Sequence, residues 1–144
     1  MPLSDYSLQD GLGLAAWVRE GRVSPGELLQ EALRRVEKHN PRLNAVVHVA
    51  DALAVKWANG VLPDGPFRGV PMLLKSIGAG CAGMPSSMGC RRYADFVPRR
   101  DGELVARFKK AGFVPFGMTN VPEFGLMPTT ESLFHGPARN PWDL

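Results

Sequence analysis

The 144-residue sequence predicts an α/β chain, and three observations carry that expectation. Two near-continuous apolar runs, Val70 to Lys75 and Phe113 to Gly117, read as strands buried on both faces. Between them Leu104, Val105, Phe108 and Ala111 form the apolar stripe of a short helix that Asp101 can cap and Gly112 ends. Strand, helix and strand in that order predict a right-handed crossover between parallel neighbours.

The clearest single element is a helix from Ser24 to Lys38. Ser24 supplies a cap, Pro25 suits the first helical position, and Glu27 completes a capping box. Leu28, Leu29, Ala32, Leu33 and Val36 then share one apolar face, and Asn40 with Pro41 punctuate the end. Upstream, Ser7 to Glu20 places Leu8, Leu12, Ala15 and Ala16 at spacings of three and four, with Gly21 as a terminal cap. Gly11 and Gly13 weaken that helix.

Downstream, Asn44 to Val49 reads as a short β-rich run followed by an alanine-rich helical segment to Ala58, and 59–69 is a Gly/Pro loop. Pro71 is tolerable only near the beginning of its strand. Pro115 removes a ladder donor from the later one, which is expected to be an edge or to carry a bulge. From Ser76 to Arg100 no periodicity is sustained, and so long a loop in a compact domain is uncommon unless it covers a functional site. After Thr119 the chain turns at Pro122, Pro128, Gly136, Pro137 and Pro141, reaching Trp142, Asp143 and Leu144 without a closing element.

Composition narrows the function classes. With 44% hydrophobic residues, 22% charged residues and a net charge of +3, the chain has an ordinary globular balance and can bury a core. Its basic residues are scattered in pairs such as Arg34/Arg35 and Lys109/Lys110, which describes a solvated surface and not a nucleic-acid face. No stretch is apolar enough to span a membrane. Residues 1–30 hold Asp5, Asp10 and Glu20 with no basic run before an apolar block, so no secretory signal is expected. Cys81 and Cys90 have no ligand-spaced partners, and both read as reduced thiols of a cytoplasmic protein without a metal site.

Gly78, Gly80 and Gly83 spell G-x-G-x-x-G directly after a predicted strand. A dinucleotide fingerprint must open a helix, whereas Met84 to Gly89 carries no helical stripe, so a nucleotide-binding module is only an alternative. His39, His48 and His135 show no partner pattern for a triad or a metal.

Lys75 is the most suggestive residue. Held among Leu73, Leu74 and Ile77, its amine would pay a desolvation cost when charged and could serve as a base. Taken alone, a lysine ending a strand extends to water. Ser76, its strand neighbour, would face the opposite way, and Ser86 or Ser87 could reach it only through the folding of the loop, so no intrachain Ser/Lys dyad is expected.

Four blocks, in order, resemble the amidase signature family. GELLQEALRRVEKHNPRLNAVV looks like its N-terminal helix and first strand, and GPFRGVPMLLKSIGAGCAGMPSSMG like its catalytic-lysine strand and glycine-rich loop. DGELVARFKKAGFVPFGMTNVPEFG and FHGPARNPWDL match the next two. VPMLLK and TTES look most like hydrolases of cyclic or linear amide oligomers.

The resemblance implies an α/β fold with a mixed sheet flanked by helices, incomplete in this chain. It also implies amide hydrolysis by a nucleophilic serine, a second serine in a cis peptide and a lysine, for which Lys75 matches the lysine position. In relatives the Gly/Ser-rich signature follows the RNPWDL-like segment, so residues 1–144 are expected to be the N-terminal portion of one amidase domain, truncated before that signature and inactive alone. A non-catalytic remnant is the alternative. No cofactor or metal is implied; the implied partner is a small-molecule amide substrate of the full-length form, with no nucleic acid and no membrane. Self-association through exposed sheet edges is expected. Leu126 and Met127, in the apolar tract from Phe124, are expected to line the substrate pocket. Two departures stand out: Ser76 replaces the Asp that many relatives carry after the lysine, and Met118 replaces a Lys before Thr-Asn.

Overall fold

A computed structural model describes residues 3–143; Leu144 of the expected open ending lies outside them. The chain opens with a short 3-10 helix, Ser4–Leu8, followed by α1 (Gly11–Arg19) and α2 (Pro25–Leu43). Next come β1 (Val46–Val49), α3 (Asp51–Ala58), β2 (Pro71–Lys75), α4 (Glu103–Lys110) and β3 (Val114–Thr119). A hairpin of β4 (Glu131–Ser132) and β5 (Gly136–Pro137) follows, which the turn-rich reading of that region did not anticipate.

The sheet is mixed. Its order is β1-β3-β2, with β1 antiparallel and β2 parallel to β3. The parallel pair joined through α4 agrees with the predicted crossover. Because β2 is an edge strand, only Leu74 of its five residues is fully buried, which corrects the expectation of burial on both faces. β3, in the centre, is buried from Val114 to Met118.

Helix α2 begins as its sequence dictates. Ser24 Oγ accepts the Glu27 N–H at 3.2 Å, and the Glu27 carboxylate accepts the Ser24 N–H at 2.7 Å. The helix does not stop at Asn40 or Pro41 but runs to Leu43. Tertiary contacts hold the added turn: Asn40 exchanges two hydrogen bonds with the backbone of Val46, each 2.8 Å, and the Arg139 N–H donates to the Leu43 carbonyl. Helix α1 starts at Gly11, not Ser7, because Asp10 caps it through the Gly13 N–H at 2.8 Å. Leu8 and Leu12 are therefore exposed, and Leu14, Ala15 and Trp17 make the buried face.

Asp101 does not cap α4; Gly102 takes that position without a side-chain bond. Leu104 is exposed as well, leaving Val105 and Phe108 to face the core.

Pro115 lies in the central strand, so the edge half of its expectation is wrong and the bulge half is right. The register with β2 passes from Met72↔Pro115 to Leu73↔Gly117, which makes Phe116 the extra residue. One inserted residue exchanges the faces of everything beyond it. Val114 and Phe116 thus pack with Leu29, Ala32, Ala54 and Ala58 of α2 and α3. Met118 joins Leu74, Cys81, Met84 and Val105 in a separate cluster beneath α4 and the long loop. Gly117 is required between them, since a Cβ there would stand 2.5 Å from the His48 carbonyl oxygen.

Candidate active site

Lys75 is the last residue of β2, paired with Thr119, the last residue of β3, in parallel register. Two parallel strands therefore end side by side, and the region beyond their carboxyl ends is the usual ligand crevice of α/β sheets. Lys75 is exposed. That agrees with the reading of a lysine that extends to water from a strand end, and not with an amine enclosed by Leu73, Leu74 and Ile77.

Ser76 is buried, as the alternation along a strand requires. Its carbonyl accepts the Met88 N–H at 3.1 Å and the Ser86 hydroxyl at 3.4 Å, so the loop that leaves Lys75 returns to it. Ser86 and Ser87 are both buried, and neither hydroxyl is directed to a lysine. Ser87 Oγ lies 2.8 Å from His135 Nε2 and accepts the Gly89 N–H at 3.3 Å. His135 is anchored in turn: its N–H donates to Ser132 Oγ, and its carbonyl accepts from Asn44 Nδ2. Burial holds the His135 imidazole below its ordinary pKa.

The glycine-rich stretch opens no helix after Gly83: Met84 is a bend, 85–87 are irregular and Met88 and Gly89 form a turn. Asp101 pins its start instead, accepting the Ala82 N–H at 2.9 Å and Lys109 Nζ at 2.7 Å. Lys109 Nζ also stands 3.8 Å from the centre of the Trp57 ring. Burial opposes ionisation of Asp101, but the Lys109 and Ala82 bonds outweigh it and its pKa is lowered. Burial pushes the Cys81 thiol up to about 11, so it is a packing group of the apolar cluster and not a nucleophile.

Leu126 and Met127 are exposed and follow a 3-10 turn at Glu123–Gly125. That turn sits on the lysine loop: a Cβ at Gly125 would be 3.4 Å from Ile77 Cδ1. Of the two departures, Ser76 offers its carbonyl to the loop, and Met118 is buried in the apolar cluster beside Leu74.

Sequence reasoning missed the Ser87–His135 bond and the left-handed backbones of Met88 and Phe124. No local signal could have found the bond, because its partners are 48 residues apart.

The Amidase family model matches residues 27–144. The chain is 36% identical to a lipoamidase of Enterococcus faecalis over 141 residues, covering 97% of this chain and 19% of that protein. It is 38% identical over 138 residues to the 6-aminohexanoate-cyclic-dimer hydrolase of Paenarthrobacter ureafaciens, covering 94% of this chain and 28% of that protein. The structure of a 6-aminohexanoate cyclic dimer hydrolase complexed with substrate superposes with a TM-score of 0.88 at 36% identity, over 94% of this chain and 28% of the other. The chain thus spans less than a third of the length of each of these relatives. Among the described residues no helix is long and apolar enough to cross a membrane.

Proposed function

The chain belongs to the amidase signature family, and on that premise we propose that it is the N-terminal, lysine-bearing portion of a cytoplasmic amide hydrolase. The observation that carries this reading is the position of Lys75, exposed at the shared carboxyl end of two parallel strands and directly followed by the loop that folds back on Ser76.

In the proposed mechanism Lys75 accepts a proton, through the cis serine of the Gly/Ser-rich signature, as the nucleophilic serine attacks an amide carbonyl. The tetrahedral oxyanion is stabilised by backbone N–H groups of that signature, Lys75 returns its proton through the cis serine to the nitrogen so that a neutral amine leaves, and water hydrolyses the acyl-enzyme. Both serines and the oxyanion donors come from the rest of the domain. Burying the Lys75 amine also falls to that remainder, since this chain leaves it exposed. Leu126 and Met127, next to the turn that touches Ile77, would face the acyl part of the substrate. The proposed substrate class is a small amide, with 6-aminohexanoate oligomers the first to assay.

Residues 1–144 alone should then turn over neither aliphatic nor aryl amides. Joined in frame to the remainder of the 6-aminohexanoate-cyclic-dimer hydrolase, they should support hydrolysis that Lys75→Ala abolishes. Full turnover in the fused Lys75→Ala protein would sink the assignment.

A further inference from the structure

We infer that His135 is a positioning residue for Lys75, acting through Ser87. The inference rests on reading Lys75 as the functional lysine, although its geometry stands independently. Lys75 is followed by Ser76, whose carbonyl is tied to Met88 and Ser86, so the 86–89 segment sets the backbone from which the lysine projects.

That segment is costly to hold. Met88 has φ 53, and its carbonyl accepts the N–H of Phe124, itself at φ 52. Non-glycine residues persist in this region only where surrounding contacts over-determine them. Ser87 Oγ provides such a contact, bonded to His135 Nε2 at 2.8 Å across the loop. Ser87 is buried and His135 half-buried, so an unpaired hydroxyl there carries a desolvation cost.

Ser87 Oγ accepts the Gly89 N–H, and when the imidazole is neutral and protonated on Nδ1 the Ser87 hydroxyl proton donates to Nε2; the Nε2–H tautomer reverses the bond and keeps the contact. The shift of His135 toward the neutral form agrees with that arrangement. His135 is itself fixed by Ser132 and Asn44, so the brace runs from the C-terminal end of α2 through the hairpin to the lysine loop.

The test uses the 144-residue chain. Competitive acetylation at fixed pH, read by peptide mass spectrometry, reports the reactivity of Lys75 against exposed Lys38 as internal reference. His135→Ala should change the Lys75/Lys38 ratio by about threefold, the scale of one net hydrogen bond, and His135→Gln, which keeps a hydrogen-bonding group at similar reach, should restore it. Ser87→Ala, a smaller change if His135→Ala fails to fold, should alter the ratio likewise and move the imidazole Nε2 resonance of His135.

An unchanged ratio in every folded variant overturns the inference, as does an Nε2 resonance indifferent to Ser87→Ala. Acetylation does not depend on catalysis. An altered ratio together with full hydrolysis by the fused Lys75→Ala protein would therefore refute the proposed function while leaving the brace intact.

Discussion

The Met88 carbonyl accepts the Phe124 N–H at 2.9 Å, and both residues hold a left-handed backbone, φ 53 and φ 52. Each is followed by a glycine that also has positive φ, Gly89 at 71 and Gly125 at 71. Two strained turns, one after each parallel strand, are thereby locked together beside Lys75.

Strain of this kind costs on the order of 1 kcal/mol or more per residue. Phe124→Gly should leave stability unchanged or raise it by up to ~1 kcal/mol, offset in part by the greater freedom of glycine in the unfolded chain. Phe124→Val, with a β-branched side chain in the same backbone, should lower it by ~1 kcal/mol or more. Urea unfolding of both variants checks the pair, and a more stable valine variant would contradict the strain.

The bulge makes a second prediction. Gly117→Ala drives a Cβ against the His48 carbonyl and Leu73 Cδ2, the first being backbone that cannot swing aside. A loss of ~1–3 kcal/mol is expected, the range for overpacking, accompanied by loosening of the β1–β3 pair. Hydrogen exchange at the amides of β1 would show it, and exchange as slow as in the parent would count against the register.

Glu31 supplies a pH prediction. Hydrogen bonds and charge from Arg34, with a further bond from Arg35, outweigh the burial that opposes ionisation and lower its pKa to about 2. A carboxyl depressed on folding contributes stability above its unfolded pKa, and that contribution disappears as pH falls through the folded value. Carboxyl-carbon NMR of the folded chain should place the Glu31 midpoint far below the usual carboxylate range. Arg34→Ala should raise it; an unmoved midpoint would assign the shift to something other than the ion pair.

Self-association is the fourth expectation. Among the described residues β1 and β2 each pair with β3 alone, and Leu126, Leu133 and Trp142 are exposed. Unpaired strand edges and exposed apolar side chains promote association. Sedimentation of the 144-residue chain should show concentration-dependent mass, reduced when the remainder of an amidase domain is joined to it. A compact monomer with one sharp cooperative melt would show that these residues form a complete domain.

Features that could be read directly from the sequence share a short range. The capping box of α2 needs only Ser24 and Glu27, three residues apart, and its apolar face repeats within a turn or two. Failures begin where a distant segment supplies the partner. Asn40 and Pro41 look like a stop, yet α2 passes them because Val46 and Arg139 satisfy its final turn. Asp101 has the residue type and place of a helix cap, yet Ala82 and Lys109 claim both of its oxygens. The start of α1 is a local exception: Asp10 caps it through Gly13, three residues on, and so separates the 3-10 segment from the helix that the apolar spacing joins to it.

By itself, the sequence determined the α/β order, the crossover through α4, the family blocks and the place of Lys75 at a strand end, because hydrophobic period and capping are local properties. Only the tertiary structure decided that Pro115 lies in the central strand, that Phe116 exchanges the faces of β3, and that Ser87 meets His135. Those outcomes depend on which strands pair and in what register, and a one-residue shift, invisible to any local pattern, redirects every side chain beyond it.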